Sequence, residues 1–487
     1  MKKLKFKDII FYTIVWGAIV LLAVIALTAI FKTGPSALKL PLYSGFAYLA
    51  AAGVGVFAIY KLNILAKINK TVFIILLVLA AVLPRLIWIY YVRTQPFSDF
   101  LHLYDYGVKA SHGDFKGFVN FYAVFPFKIG FGMVLAGLFS IFGTGLWAAK
   151  ILNVALSLAL VLIIYAGGKM LYGERAGRVA SLLCALWPAQ IMYTSVIASE
   201  HVFLVLFTGA VLLSLYFIKK YTYKNYEFTN GNLLLIGTAL ITACAQLIRP
   251  MSMILLPVFA VFVLLYKRYR ADSLSSVGLG IKSIVLFIAA YFAVVNLINL
   301  PVQKATGVDI TKSDSGFNLM IGTNSKASGM FNDEDFKLIE KDNYDFEKVQ
   351  KDSKKIAVNR IKSNPVGFVK LAKRKFEILW GDENYGYYWS TSAAQNSDTE
   401  NSVKSHPRLF YAASQAFYIL IIILAICACV YSLNEKRYDS LMILMLFGGL
   451  LLSYTFLEVQ SRYHMPVMPL LIVFGTGFLE FGKRYEI

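Results

Sequence analysis

Apolar runs about as long as a bilayer-spanning helix recur along most of this sequence. The hydrocarbon core of a bilayer is about 30 Å thick, so a helix needs roughly 20 mostly apolar residues to cross it. Of the 487 residues, 58% are hydrophobic and only 16% are charged. Such a composition is typical of a membrane protein. The pattern therefore predicts a polytopic α-helical membrane protein.

Short basic loops predict which side of the membrane each loop faces. Lys and Arg number 48 against 28 Asp and Glu, and much of this excess lies between apolar runs. Since such loops stay in the cytoplasm, both termini are predicted to be cytoplasmic. The topology thus accounts for the excess of positive charge, and nucleic acid is excluded as a partner. The 12 predicted transmembrane helices are residues 9–30, 42–60, 71–91, 147–166, 178–195, 202–219, 232–247, 252–266, 281–300, 409–431, 439–457 and 464–481.

Two segments are not predicted to cross. The apolar segment 125–142 contains Lys128 and several glycines, and the charge distribution fits only if it lies along the outer surface. Residues 301–408 are polar and are predicted to form a small α/β extracytoplasmic domain. The chain is thereby divided into helices 1–9 in residues 1–300, with a first external loop at 92–146, and helices 10–12 in residues 409–487.

Three elements can be predicted inside the polar part. Residues 316–324 are expected to form a strand and turn, and 346–363 a charged amphipathic helix. Asn364-Pro365 should begin another helix, because asparagine caps a helix N-terminus and proline is tolerated in the first turn.

Ionisable side chains at the ends of predicted spans all fall on the outer face. These are Asp99, Glu200, Arg249, Glu458 and Arg462. Charged groups beside lipid are costly, so a functional site is the first hypothesis for them. Purely structural interpretations stay open: Asp99 and Glu200 could cap helices, and the two arginines could extend to lipid headgroups.

The order of several short motifs resembles that of a known family. The residues are Arg85 with Asp99 and Tyr104, Phe125-Pro126, Leu138 to Gly143, Ala148-Ala-Lys-Ile-Leu152, Leu186-Trp-Pro188, Ala198-Ser-Glu200, Ile248-Arg-Pro250 and Glu458-Val-Gln-Ser-Arg-Tyr463. From about Leu83 onward the chain resembles the GT-C glycosyltransferases. The resemblance is to the branch of protein O-mannosyltransferases and the lipid A aminoarabinose transferase, in its Gram-positive type.

The resemblance implies a GT-C architecture with juxtamembrane helices on the outer face. It implies inverting transfer of a monosaccharide from a polyprenyl-phosphate donor to an envelope glycan, lipid-linked glycan or protein outside a bacterial plasma membrane. Asp99 and Glu200 are the candidate catalytic residues. The candidate substrate- and phosphate-binding residues are Arg85, Tyr104, Lys128, Lys150, Arg249, Arg462 and Tyr463.

The chemistry suits these residue types. A carboxylate can take the proton of an attacking hydroxyl, and cations can hold the charge of a departing phosphate. Arg85 lies deep in its span, so we expect it to have a partner such as Asp99 or a lipid phosphate.

The sequence also departs from the family pattern. Family members often carry paired acidic residues where this chain has Ser98-Asp99-Phe100. No cofactor is therefore certain, and a divalent metal remains an alternative. A lipid-linked polysaccharide polymerase or ligase is the second candidate function. A transporter or flippase is the third and least favoured candidate. Transporters often have inverted repeats and ionisable residues near the membrane midplane, whereas here the polar residues lie at one face and no internal repeat is visible.

Overall fold

Helices account for almost all of the regular structure. The computed structural model describes residues 6–480 apart from 62–63, 118–121, 123, 222–227, 271–273 and 395–397. Within that part of the chain, nine helices are long and apolar enough to cross a membrane. They are Lys7–Leu38, Leu42–Lys61, Lys70–Tyr91, Leu146–Tyr172, Glu200–Tyr221, Asn230–Ile248, Gly278–Thr306, Pro407–Glu435 and Tyr438–Phe456. The prediction of a polytopic helical membrane protein is confirmed, and these nine helices coincide with nine of the predicted spans.

The three other predicted spans are shorter or interrupted, so a total of 12 crossing helices remains a prediction. The span at 178–195 is broken before Pro188, whose ring removes a backbone N–H and favours the start of a new helix. The spans at 252–266 and 464–481 both begin as 3-10 turns, Pro250–Ile254 and Ser461–Val467.

The α-helices are numbered here in chain order. They are α1 (Phe6–Leu27), α2 (Gly34–Leu38), α3 (Gly45–Lys61), α4 (Ile64–Lys67), α5 (Lys70–Tyr91), α6 (Asp99–Ser111), α7 (Lys128–Phe142), α8 (Leu146–Tyr172), α9 (Glu174–Ala185), α10 (Pro188–Tyr193), α11 (Glu200–Tyr221), α12 (Phe228–Ile248), α13 (Leu255–Arg270), α14 (Leu274–Thr306), α15 (Ser315–Gly322), α16 (Asp333–Lys341), α17 (Phe346–Ser363), α18 (Pro365–Trp380), α19 (Tyr385–Thr391), α20 (Asp398–Ser405), α21 (Pro407–Glu435), α22 (Leu441–Phe456) and α23 (Met468–Gly475).

Helices α6 and α7 pack closely and bring their first residues together. A Cβ added to Gly132 of α7 would lie 2.3 Å from the Tyr106 ring, and one added to Gly107 of α6 would lie 2.6 Å from Leu135. Only glycine permits this approach. With 15 residues, α7 is about 22 Å long, shorter than the hydrocarbon core. This length is compatible with the predicted surface position of the segment.

The polar segment, residues 301–408, is helical, and the predicted strand at 316–324 is wrong. Residues 315–322 form α15, in which Phe317, Met320 and Ile321 are buried. Their spacing places all three on one face of a helix, which the short apolar run did not distinguish from a strand. The part of 301–408 that the structure describes contains no strand, only a single bridge from Ala394 to Thr94.

The two predicted helices of the polar segment are confirmed. One is α17, Phe346–Ser363. The other is α18, which begins at Pro365 and is capped by Asn364, whose side-chain oxygen accepts a 2.8 Å hydrogen bond from the Gly367 N–H. Asparagine as the N-cap and proline in the first turn are the residues expected at the start of a helix.

The polar segment is fastened to the chain that follows α22. The Glu458 N–H donates to the Asn318 carbonyl at 3.2 Å, and the Val459 N–H to the Gly329 carbonyl at 3.0 Å. The buried Lys375 donates to the carbonyls of Gly322 and Thr455, each at 2.8 Å. Burial lowers the pKa of Lys375 to about 7. We call this set of contacts the 455–459 junction, and it leads directly into the residues around Arg462.

Candidate functional site

Asp99 begins α6 and forms an ion pair with the first residue of α7. Lys128 Nζ lies 2.9 Å from Asp99 Oδ2, and the Asp99 side chain is about half exposed, at 51%. Partial burial alone would raise the pKa of Asp99, but the charge and hydrogen bond of Lys128, helped by Arg462, lower it below the usual value. The carboxylate is therefore ionised and accessible.

The residue before Asp99 has an unusual backbone conformation. Ser98 has a φ of 52°, which non-glycine residues rarely adopt. Such a conformation costs roughly 1–3 kcal/mol and is common at functional sites. At this position it turns the chain sharply into α6 and so fixes where Asp99 starts the helix.

Glu200 is the buried centre of a second charged group. It begins α11, where a carboxylate complements the helix dipole. Its Oε1 lies 2.7 Å from Arg249 Nη1 and 3.5 Å from Arg462 Nη1. One carboxylate is thus shared by two guanidinium groups, which leaves a net positive charge around Glu200.

Aromatic rings surround Arg462. Its guanidinium carbon lies 5.0 Å from the centroid of Phe100, 4.8 Å from that of Trp389 and 5.6 Å from that of Tyr463. Phe100 follows Asp99 directly, so the two charged groups belong to one site. We call Asp99, Lys128, Glu200, Arg249 and Arg462 the charged cluster.

One donor of the charged cluster is unsatisfied. Arg462 is 7% exposed, and its Nε has no hydrogen-bond acceptor among the described residues, while Nη1 donates to the Tyr193 hydroxyl at 3.3 Å. Buried polar groups in proteins nearly always have partners, and leaving a charged donor without one is costly. The N–H is therefore suited to an anionic ligand.

Tyr463 lies at the edge of this cluster. Its hydroxyl donates to Glu458 at 3.2 Å, and its ring stacks on Tyr454 at 5.6 Å. Burial raises the pKa of Glu458.

Arg85 lies apart from the charged cluster, and the partner expected for it is not the one observed. Its side chain is fully buried in α5 and donates to Gln190 Oε1 at 2.9 Å from Nε. The guanidinium also donates to the carbonyls of Ala81 and Ala185, at 2.7 and 2.8 Å. Asp99 is not among its contacts. The group is satisfied by the protein itself, as expected of a cation that holds helices together.

We expect Arg85→Leu to destabilise the protein without weakening binding of a donor lipid. The change leaves Gln190 and two carbonyls without their donor, which should cost about 2–4 kcal/mol. Thermal unfolding in detergent and lipid-binding titrations would measure the two effects. Leu83→Ala is the control, because Leu83 lies in the same helix and is exposed on its surface. A donor affinity that falls with Arg85→Leu would assign Arg85 to the binding site after all.

Two other predicted residues have separate surroundings. The Tyr104 hydroxyl in α6 donates to the Thr144 carbonyl, which ties α6 to the turn between α7 and α8. Lys150 is buried within α8. The roles in substrate binding proposed for Tyr104 and Lys150 remain predictions.

The surroundings of Asp99 do not fit a metal centre. Among the residues that the structure describes, no three His, Cys, Asp or Glu side chains form a possible ligand group. The nearest charged neighbour of Asp99 is the Lys128 ammonium, and a cation beside the carboxylate opposes a second cation.

Comparison with known proteins adds no assignment. No protein-family model, curated protein or solved structure matches this chain. The resemblance to GT-C glycosyltransferases therefore remains a prediction from the motifs. Any function proposed for the chain depends on the chemistry of the charged cluster.

Three contributors to the site were not assigned to it from the sequence. Trp389 and Tyr193 contact Arg462 from distant parts of the chain. Asp314 is buried near Lys128 and Glu458, and burial raises its pKa to about 7. A carboxyl that titrates near neutrality is a candidate acid or base. The only indication of Asp314 in the sequence is its position as an acidic residue just before the apolar run of α15.

Proposed function

We propose that the protein is a membrane glycosyltransferase that moves a monosaccharide from a polyprenyl-phosphate donor to an acceptor at the extracytoplasmic face. The observation that supports this most directly is the charged cluster. It combines an accessible carboxylate, Asp99, with a buried group of net positive charge that has an unused N–H on Arg462. These are the two requirements of sugar transfer from a phosphate.

The phosphate of the donor would bind at Arg462 and Arg249. Arginine presents a planar fork of donors that matches phosphate oxygens. Aromatic rings and Glu200 hold both guanidinium groups in place before the ligand arrives, so little reorganisation is needed when charge develops on the leaving group. Because Glu200 is engaged by both arginines, we assign it to orienting them rather than to proton transfer.

Asp99 would act as the general base. The acceptor hydroxyl oxygen attacks the anomeric carbon and forms the new glycosidic bond, and its proton passes to Asp99. The bond between the anomeric carbon and the phosphate oxygen breaks, and its electron pair leaves with the polyprenyl phosphate. The base must lie within hydrogen-bond reach of the hydroxyl, which the half-exposed position of Asp99 allows.

Lys128 links the two halves of this reaction. In the structure it neutralises Asp99 and thereby weakens it as a base. A donor phosphate beside the cluster would compete for the ammonium group, because each anion lowers the energy of the cation near it. Partial release from Lys128 would raise the basicity of Asp99 only when the donor is bound.

The proposal is tested with purified protein in lipid nanodiscs and a panel of radiolabelled polyprenyl-phosphate monosaccharides, with cell-envelope extract as the source of acceptor. We expect transfer of label and release of polyprenyl phosphate from at least one donor. Activity only with an oligosaccharide on a polyprenyl diphosphate would favour a polymerase or ligase. Consumption of neither donor type would contradict the proposal.

The location of the site makes a separate prediction. A cysteine at Ser325, which is exposed in the polar segment, should react with an impermeant thiol reagent applied to intact cells. A cysteine at Asn434, exposed in the last turn of α21 near Lys436 and Arg437, should react only after lysis. The unmodified chain, with its four buried or partly buried cysteines, is the control. Equal labelling of both positions in intact cells would refute the topology.

A further inference from the structure

A buried contact between a histidine and a glutamate lies close to Arg462 in the chain. His464 is in the same 3-10 turn, Ser461–Val467. Its Nε2 is 2.5 Å from Glu383 Oε2, and its Nδ1 is 2.6 Å from the Leu379 carbonyl oxygen. Both side chains are completely buried. Glu383 precedes α19 and His464 precedes α23, so the contact joins segments that are distant in the chain.

The hydrogen bonds of His464 and Glu383 limit the protonation states of the pair. Each nitrogen of His464 faces an acceptor, and a neutral imidazole carries only one N–H. The carboxylate of Glu383 also accepts a 2.8 Å bond from the Trp187 indole through Oε1. A carboxylate at Glu383 can accept from both the indole and the ring, and the ring is then an imidazolium that donates from both nitrogens.

The remaining surroundings are compatible with that charge. Trp380 stacks on the ring at 5.6 Å, and Tyr418 lies 5.2 Å away. Among the residues that the structure describes, the titratable and charged groups that face His464 are Glu383, Asp382, Tyr385 and Tyr418. None of these is a cation. A buried ion pair is tolerated when its geometry is good and its other polar atoms are bonded, and both conditions hold here.

The pair is connected to the charged cluster by two routes. Along the chain, His464 is two residues from Arg462 within one short turn. Through space, the Tyr385 ring next to His464 packs at 5.6 Å against Tyr193, whose hydroxyl accepts a bond from Arg462. Fixing His464 therefore fixes both the backbone and one contact of Arg462.

We propose that His464 and Glu383 are positioning residues: a buried imidazolium–carboxylate pair that holds Arg462 in its phosphate-binding position. This positioning role rests on the proposed function only in that the ligand of Arg462 is a phosphate. The protonation of His464 and the placement of Arg462 are properties of the protein without ligand, and they can be measured without any sugar transfer.

The first test is the ring itself. An isolated histidine is neutral at pH 8, since its pKa is about 6.5. With ¹⁵N-labelled histidine, and His464→Gln to assign the signal, the His464 ring should show two protonated nitrogens at pH 8. In Glu383→Gln the amide can donate to Nε2, and the ring should become neutral while keeping both hydrogen bonds. A neutral His464 in the unmodified protein at pH 8 would overturn the proposed ion pair.

The second test separates positioning from general stability. Binding of a short alkyl phosphate should weaken about tenfold in Glu383→Ala, equivalent to one lost hydrogen bond of about 1.4 kcal/mol. Binding should be nearly normal in Glu383→Gln, which preserves the contact. Glu377→Ala is the control, because Glu377 is in the preceding helix but pairs with the exposed Lys32. Unchanged phosphate binding in Glu383→Ala with reduced thermal stability would show a structural role only and would overturn the proposal.

A ligand-independent measurement keeps the proposal distinct from the glycosyltransferase hypothesis. The Nε–H signal of Arg462, assigned by its loss in Arg462→Lys, should be shifted by the ring currents of Trp389 and Phe100. We expect this shift to collapse in Glu383→Ala and to persist in Glu383→Gln. If the protein binds no alkyl phosphate but the Arg462 signal responds in this way, the proposed function fails and the positioning role stands. An Arg462 signal that is the same in all variants would exclude that role.

Discussion

Asp99→Asn should leave folding and donor binding intact while reducing turnover about 100-fold or more. Asparagine keeps the size of aspartate and can still accept a hydrogen bond, but it cannot take a proton from the acceptor. Turnover with saturating donor, together with a lipid-binding titration, measures both properties. The loss should appear in kcat rather than in donor affinity, because the interaction is made in the transition state.

Asp105→Asn is the matched control for this experiment. Asp105 lies in the same helix, so it reports any effect of removing a negative charge from α6. Near-normal turnover is expected for it. If Asp99→Asn keeps near-normal turnover instead, the base lies elsewhere. Asp314, which titrates near neutrality beside Lys128, and Glu200 are then the next residues to test.

The pH dependence of kcat/KM gives an independent check on the ion pair. Lys128 and Arg462 lower the pKa of Asp99, so the carboxylate stays ionised as the pH falls through about 3.9, the usual pKa of aspartate. The acid limb of the profile should therefore lie below that value in the unmodified protein. Lys128→Met should move it to higher pH, because the charge and hydrogen bond that most oppose the effect of burial on the pKa of Asp99 are then gone. An acid limb that does not move would mean that Lys128 does not control Asp99.

Arg462→Ala should weaken binding of the donor lipid by about 1.5–3 kcal/mol, the range for hydrogen bonds to charged groups. This corresponds to roughly a 10- to 150-fold higher Kd. Arg462→Lys should recover only part of the loss, since lysine keeps the charge but not the planar fork that lies between the rings. Quantitative binding of an alkyl phosphate and of the donor itself would show both effects.

Arg437→Ala provides the control for loss of a stacked, ion-paired arginine. Arg437 pairs with Asp439 at 2.7 Å and lies 5.3 Å from the Tyr172 ring, but it belongs to the turn between α21 and α22. It should affect stability and not donor affinity. If Arg462→Ala and Arg437→Ala behave alike, Arg462 is a structural or lipid-headgroup residue and the phosphate site is wrong.

Much of the membrane architecture was accessible from the sequence because it depends on local hydropathy. An uninterrupted apolar run of about 20 residues has few alternatives to a spanning helix. The runs whose crossing of the membrane remains a prediction contain prolines, such as Pro188 and Pro466, and there the predicted span is divided into shorter helices. At 316–324 an apolar run of helix-like spacing was too short for its period to be decisive.

The charged cluster could be predicted only in part. Asp99, Glu200, Arg249 and Arg462 stood out because charged residues at the ends of spans are costly. Their grouping is long-range: Arg249 and Glu200 are paired across a whole helical hairpin. The aromatic neighbour Trp389 could not be singled out, because tryptophan is also common at the membrane interface. The cost of burying Arg85 was visible in the sequence, but its partner Gln190, 105 residues away, was not.

The 455–459 junction has a consequence for protein engineering. Gly322 has no room for a side chain there, since an added Cβ would lie 2.1 Å from the Phe456 carbonyl oxygen. Lys375 likewise binds backbone on both sides of the contact. The polar segment is thus not an exchangeable module. A chimera that replaces residues 301–408 would have to carry the matching 455–459 backbone from the same parent, or it would disconnect the graft from the turn that bears Arg462.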